Sequence, residues 1–118
     1  MDASSRDVSL TIPAKPGYLV LARLALSAVC RLTSLEAVEV ADLKLAVTEA
    51  ANEFVDEANE DTTVDFSFQL QEDRLVLELS GPDGVEPPTD RELSRAIIEA
   101  TVDKSEFAPG RTVLVKHL

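Results

Sequence analysis

The chain has 118 residues, 45% of them hydrophobic and 28% charged, which predicts one globular domain over residues 1–118. Its 22 Asp and Glu outnumber 11 Lys and Arg, and the net charge of −11 argues against nucleic acid and anionic membrane surfaces as partners. A single cysteine and a single histidine exclude an internal disulfide and the usual metal and Ser-His-Asp sites, and the lack of a long apolar run or secretory leader predicts a cytoplasmic protein.

The N-terminal part of the chain predicts a strand and then a largely buried helix. Residues 8–12 alternate apolar and polar side chains, the period of a half-buried strand. Pro16 suits the first turn of a helix over residues 18–32, which is apolar on nearly all sides. Arg23 is the internal charge of this helix, and Cys30 is expected to be a small, inert core residue.

The middle of the chain predicts a long helix followed by a β-hairpin. Thr33 and Glu36 have capping-box spacing and predict a helix from there to about residue 58. Apolar residues at steps of three and four predict its inward face: Leu43, Ala46, Val47, Ala50, Phe54 and Ala58. Residues 64–70 and 75–79 each alternate, with only a short acidic turn between them, so they should pair as a hairpin.

The C-terminal part predicts a loop, a helix and a strand. Residues 81–89 are rich in Gly and Pro, and Thr89 and Glu92 form a second capping box. The helix should run to about residue 102 with four residues inward: Leu93, Ala96, Ile97 and Ala100. Residues 112–115 predict a last strand. The order β-α-α-β-β-α-β indicates an α+β two-layer sandwich, with helices on one face of a mixed, mostly antiparallel sheet.

Three strings in this order resemble the small anti-sigma factors and serine-protein kinases of the RsbW-like family, within the histidine-kinase-like (GHKL) ATPases. The strings are LARLALS at residues 21–27, DLKLAVTEA at 42–50 and IIEATVD at 97–103. The resemblance spans nearly the whole chain. It implies the GHKL fold, ATP-dependent protein-serine kinase activity with ATP and Mg²⁺, and sigma factors or STAS-type anti-anti-sigma proteins as partners. A homodimer through the first strand and helix is also implied.

The resemblance places the family's catalytic positions on the second helix, where this chain departs from the pattern. Glu49 matches the general base, and the Mg²⁺-holding Asn should follow four residues later on the same helix face. Glu53 stands there instead, and Asn52 falls one residue early. Glu49 is therefore either a residual catalytic position or an ordinary helix carboxylate.

At two further nucleotide-binding motifs of the family, this chain also departs from the family's pattern. The family's Asp-x-Gly-x-Gly box aligns Ser80 with the adenine-binding Asp and Pro82 with the first Gly, and only Gly84 is retained. Residues 92–95 replace a glycine-rich phosphate turn without any Gly. Asn52, Glu53, Ser80 and Gly84 are thus expected to be non-functional, with no metal and no cofactor bound.

The resemblance places partner-contact positions at Arg23, Asp42 and Lys44. Arg23 could contact a partner or form a structural ion pair, and the other two could be solvated charges. Residues 49–65 hold seven acids and no Lys or Arg: Glu49, Glu53, Asp56, Glu57, Glu60, Asp61 and Asp65. This run is either a solvated patch or a steering surface for a basic partner.

The sequence thus predicts a pseudo-kinase: an anti-sigma-factor-like regulator that acts by partner switching and protein binding, with its ATP site lost. Two alternatives remain open. One is an active kinase that uses Glu49 as base and Asn52 or Glu53 for the metal, and the other is a scaffold subunit without a regulatory role.

Overall fold

The computed structural model describes residues 6–82 and 91–118. In chain order its elements are β1 (Arg6–Pro13), a 3₁₀ turn (Pro16–Tyr18), α1 (Leu19–Cys30), α2 (Ala37–Asn52), β2 (Thr63–Leu70), β3 (Arg74–Ser80), α3 (Arg91–Thr101), β4 (Lys104–Ala108) and β5 (Arg111–His117). The predicted α+β fold class is confirmed. The predicted loop at residues 81–89 and the Thr89 cap lie mainly or wholly outside the described residues.

The strands form one sheet in the order β1-β2-β3-β5-β4, and every described pairing in it is antiparallel. The predicted hairpin is confirmed as β2 and β3. Phe66 lies opposite Leu10 on one side and Leu79 on the other, so these side chains share a face. The helices cover that face.

The core lies between this sheet face and the helices. The sheet contributes Ile12, Val64, Phe66, Phe68, Leu75, Leu77, Leu79 and Leu114, all at 2% exposure or less. Leu26, Leu43 and Ile98 are fully buried on the three helices and belong to the same cluster. Alternation along each strand thus gives one buried face and one more polar face.

The sequence pattern did not predict strand β4. Two strands, β4 and β5, therefore follow α3, where one was predicted. Its five residues contain one large apolar side chain, Phe107, and the pattern is too short to register as alternation. Pro109 and Gly110 connect it to β5, with φ of 71° at Gly110. A Pro followed by a residue at positive φ is the signature of a type II turn.

Helix α2 is shorter than predicted at both ends. Thr33 does not cap it: the Thr33 hydroxyl donates to the Cys30 carbonyl (2.7 Å), and α2 begins after Glu36, whose N–H donates to the Glu39 carboxylate (3.2 Å). The helix ends at Asn52 because the following chain bonds to the end of β1, where the Asp56 N–H donates to the Ala14 carbonyl (2.9 Å).

The helical faces also differ from the predicted ones. On α1, Val20, Leu21 and Leu24 are exposed, so the helix is buried on one side only. On α3, Leu93 is 62% exposed, whereas Ser94 and Ile98 are buried. The inward face of α3 therefore includes the hydroxyl of Ser94. The helix is rotated about its axis relative to the prediction, and this orientation determines which of its side chains contact α2.

Within the described residues, no helix is both long and apolar enough to cross a membrane.

Candidate functional site

The candidate site lies where α2 packs against α3. Glu49 lies in the last turn of α2, and Glu53, four residues later, is the C-cap residue of that helix with helical backbone angles, so the two project from the same side. Ser94 and Arg95 are consecutive residues of α3 and meet those two carboxylates. These contacts bring together both positions that the resemblance assigns to catalysis and metal binding.

Glu49 is half-buried and hydrogen-bonded to α3. The Ser94 hydroxyl is 2.9 Å from Glu49 Oε2 and 3.3 Å from the Glu49 backbone carbonyl. Ser94 itself is only 4% exposed, so its hydroxyl must find its partner inside the protein. The carboxylate of Glu49 is thus held by the neighbouring helix.

Glu53 forms a two-point ion pair with Arg95. Arg95 Nη2 lies 3.1 Å from Glu53 Oε1, and Arg95 Nε lies 3.4 Å from Glu53 Oε2. The Glu53 side chain is only 9% exposed, and the guanidinium stacks 4.3 Å from the centre of the Phe107 ring. Both carboxylate oxygens therefore face a cation that is fixed on its other side by an aromatic ring.

The remaining positions predicted for nucleotide or metal do not join this group. Asn52 is exposed, on a different side of α2 from Glu53. Ser80 ends β3, and Gly84 lies outside the described residues. Within residues 6–82 and 91–118, no three His, Cys, Asp or Glu side chains are grouped as metal ligands. Glu53, at the position where the resemblance places the metal ligand, is paired with Arg95.

Gly81, which follows Ser80 and the end of β3, packs tightly against Phe54, the second residue after α2. A Cβ at Gly81 would lie 2.8 Å from Cδ1 of the Phe54 ring, which is closer than real contacts allow. The Gly81 N–H donates to the Gly110 carbonyl (3.0 Å). Glycine is required here so that Phe54 can close over the end of the strand.

Arg23 lies half-buried between α1 and α2. Its Nη1 is 3.4 Å from the Thr48 hydroxyl, which donates to the Lys44 carbonyl at 2.8 Å. Among the described residues Arg23 has no ion pair. Its one polar contact, with the Thr48 hydroxyl, is long and involves an uncharged partner. Asp42 is exposed and Lys44 is half-buried.

The acidic run contains both structural and exposed carboxylates. The Asp56 carboxylate accepts from Thr62 (3.1 Å), and the Asp65 carboxylate accepts from Thr11 (2.5 Å). Lys15 donates to the backbone carbonyls of Asp56 and Asn59, and so fastens this segment to the end of β1. The exposed acids are Glu57, Glu60, Asp61 and Asp65.

Ser94, Arg95 and Phe107 are the site residues that sequence reasoning missed. Ser94 and Arg95 stood out only as substitutes for a glycine-rich turn, and Phe107 belongs to the undetected strand. The sequence held only a weak signal: two carboxylates four residues apart would need a cation if buried, and α3 offers both Arg91 and Arg95.

The comparisons with known proteins agree with this architecture. The histidine kinase-like ATPase domain model matches residues 12–115. The chain belongs to that family. Curated relatives include the serine-protein kinase RsbW of Listeria innocua, 34% identical over 62% of this chain and 48% of its own, and RsbW of Bacillus pumilus, 39% identical over 59% and 46%. The chain thus spans about half the length of these relatives.

A solved structure shows the same fold. A crystal structure of the RsbU and RsbW domains of a Mycobacterium tuberculosis protein superposes with a TM-score of 0.67 over 95% of this chain and 32% of that one, at 13% identity. At this identity the likeness concerns the fold, and it agrees with the match to the histidine kinase-like ATPase family.

Proposed function

We propose that this chain is an anti-sigma-factor-like regulator that works in the cytoplasm by binding other proteins and that does not use ATP. Its partners would be a sigma factor, a STAS-type anti-anti-sigma protein, or both in alternation, as the RsbW relatives suggest. One observation carries the proposal: side chains of α3 hold both α2 carboxylates at the positions where the family places its base and its metal ligand.

The chemistry of that contact opposes a metal-bound triphosphate. A carboxylate at position 53 would itself bring negative charge beside the phosphates, and here it is already satisfied by a bidentate guanidinium. If the Glu53 carboxylate were released from Arg95, a side chain that is only 9% exposed would lose its charge partner. ATP and Mg²⁺ would therefore have to displace a buried ion pair before binding.

Calorimetric titration with Mg-ATP tests the loss of nucleotide binding. We expect no saturable heat at about 1 mM nucleotide, while a curated RsbW kinase in the same buffer serves as the positive control. Saturable Mg-ATP binding by the wild type would support the active kinase instead and overturn this part of the proposal.

Affinity purification from the native cell, followed by reconstitution with purified components, tests the regulatory role. We expect a one-to-one or two-to-one complex with a sigma factor or a STAS protein, detectable by light scattering, which also reports any homodimer. Recovery of an unrelated assembly, with no binding to either protein class after purification, would support the scaffold alternative.

A further inference from the structure

A cleft of about 390 Å³ opens between the C-terminal end of α1 and the N-terminal half of α2. Cys30, Leu35 and Val40 give it an apolar wall, and Ser27 contributes a hydroxyl. Its charged lining residues are Arg31 and Lys44. The cleft is separate from the α2–α3 contacts described above, and Arg23 does not line it.

The charge of this cleft is opposite to that of the protein. Its two charged lining residues are both cations, although the chain carries 22 acids against 11 Lys and Arg. Four of the described cations have a carboxylate partner, namely Arg74, Arg95, Arg111 and Lys116. Within the described part of the chain, Arg31 and Lys44 make no ion pair and no side-chain hydrogen bond.

Two like charges in one cleft repel each other, and a carboxylate from outside would relieve that repulsion. A polyanion is a poor candidate because the net charge of −11 repels a phosphate backbone over the rest of the surface. The cleft also has an apolar wall, and Leu32 and Val38, which are neighbours of lining residues in the chain, are 57% and 64% exposed. A charge-complementary occupant should therefore combine a carboxylate with apolar groups.

We propose that this cleft receives an acidic, amphipathic segment of a partner protein. A Glu or Asp of that segment lies between Arg31 and Lys44, and an adjacent apolar side chain covers Leu35 and Val40. The inference rests on the proposed function, since it names the chemistry by which that regulator recognises one of its partners. The acidic run at residues 49–65 would repel such a segment, so this partner is distinct from a basic one.

A peptide titration tests the cleft without knowledge of the partner. The probe is a 14-residue capped helical peptide of Leu, Ala and Glu, with Gln-for-Glu and Lys-for-Glu versions as controls, added to ¹⁵N-labelled full-length protein. We expect amide shifts centred on Ser27, Arg31 and Lys44, and binding at least about tenfold tighter for the Glu peptide than for the Gln peptide. Equal affinity for the two peptides, or shifts centred elsewhere, would overturn the proposal.

A matched pair of variants sharpens the result. Arg31→Ala/Lys44→Ala and the control Arg74→Ala/Lys104→Ala each remove two positive charges, but Arg74 and Lys104 are exposed on the sheet. We expect the first variant to lose Glu-peptide binding by about tenfold and the control to keep it. An equal loss of peptide affinity in both variants would mean that binding depends only on the net charge of the protein, and it would overturn the assignment of the cleft as the binding site.

The two proposals fail in distinguishable ways. If the wild type binds neither a sigma factor nor a STAS protein, the proposed function fails, while the peptide titration still decides the chemistry of the cleft. If a partner binds and Arg31→Ala/Lys44→Ala binds it as well as the control variant does, the function stands and the cleft assignment is wrong.

Discussion

Ser94 on α3 donates a hydrogen bond to Glu49 on α2 across 45 residues of sequence, at 2.9 Å. The next residue, Arg95, pairs with the carboxylate one helical turn further along, Glu53. Two consecutive side chains of α3 thus contact one carboxylate in the last turn of α2 and one on the C-cap residue of that helix. The α2–α3 contact is polar at this point, unlike the apolar contact between the helices and the sheet.

The Ser94–Glu49 hydrogen bond should contribute measurably to stability. Ser94→Ala removes the donor and leaves a half-buried carboxylate with less solvation, so we expect a loss of about 1–2 kcal/mol in the free energy of unfolding. Urea denaturation followed by circular dichroism measures it. The control Ser34→Ala alters an exposed serine and should change stability by less than about 0.5 kcal/mol. Equal effects would mean that the hydrogen bond contributes nothing.

The Glu53–Arg95 ion pair should show strong coupling in a double-mutant cycle. Because the Glu53 side chain is 9% exposed, Arg95→Met leaves a buried charge unpaired and should cost about 3 kcal/mol. The double variant Glu53→Gln/Arg95→Met should recover at least about 1 kcal/mol relative to the sum of the single changes. Urea unfolding of all four proteins provides the cycle.

The exposed pair of Asp73 and Arg74 is the internal reference for that cycle. Its side chains are 71% and 44% exposed, and Arg74 lowers the pKa of the Asp73 carboxyl through a hydrogen bond and its charge. Exposed pairs of this kind couple weakly because water and salt screen their charges. A Glu53–Arg95 coupling energy no larger than that of Asp73 and Arg74 would contradict the prediction that the buried ion pair is strongly coupled.

The close contact between Gly81 and Phe54 predicts a large difference between two glycine substitutions. Gly81→Ala places a methyl group 2.8 Å from the Phe54 ring and should destabilise the protein by about 1–3 kcal/mol. Gly17→Ala meets nothing within 4 Å and should be neutral or slightly stabilising. Thermal denaturation compares them. If Phe54→Leu does not reduce the cost of Gly81→Ala, the contact is not its cause.

Features with a strong local signal were predictable from the sequence. The alternation in β2 and β3 and the apolar stripe of α2 around Leu43 and Val47 define the hairpin and the core helix, because burial on one face leaves a period in the sequence. The family positions at Glu49 and Glu53 could be located through the resemblance, and their four-residue spacing places both on one helix face.

Features that depend on tertiary contacts were not predictable in the same way. The chain after Asn52 is held by a backbone hydrogen bond from Asp56 to Ala14, the residue after β1 and more than 30 residues earlier, which no local pattern encodes. Strand β4 has one large apolar residue, Phe107, and exists through pairing with β5. The inward rotation of α3, which presents Ser94 in place of Leu93, follows from the polar partners on α2.

Cys30 should make stability fall with pH in the alkaline range. Burial raises the pKa of its thiol, and the nearby Lys44 only partly opposes this effect. The folded state thus keeps its proton at a pH where the unfolded thiol, with a pKa of about 8.5, loses it, so stability is full below that pH and declines above it. Urea midpoints between pH 7.5 and 9.5 measure the decline, and Cys30→Ala should reduce it; the same slope in both proteins would contradict the prediction.

Arg23→Ala should separate partner binding from folding. The one described polar contact of Arg23 is a long hydrogen bond of 3.4 Å to Thr48, so its removal should cost less than about 1 kcal/mol of stability. If Arg23 lies on the partner surface, as the RsbW resemblance implies, the same change should weaken binding of the sigma factor or STAS protein by about 1–3 kcal/mol. Calorimetry of the complex gives the binding free energy, and urea denaturation of the free protein gives the free energy of unfolding.

Thr48→Val, which removes the intramolecular hydrogen bond but keeps the cation, should leave partner affinity unchanged. A large loss of stability in Arg23→Ala with unchanged affinity would place Arg23 in the packing between α1 and α2 and remove it from the partner surface.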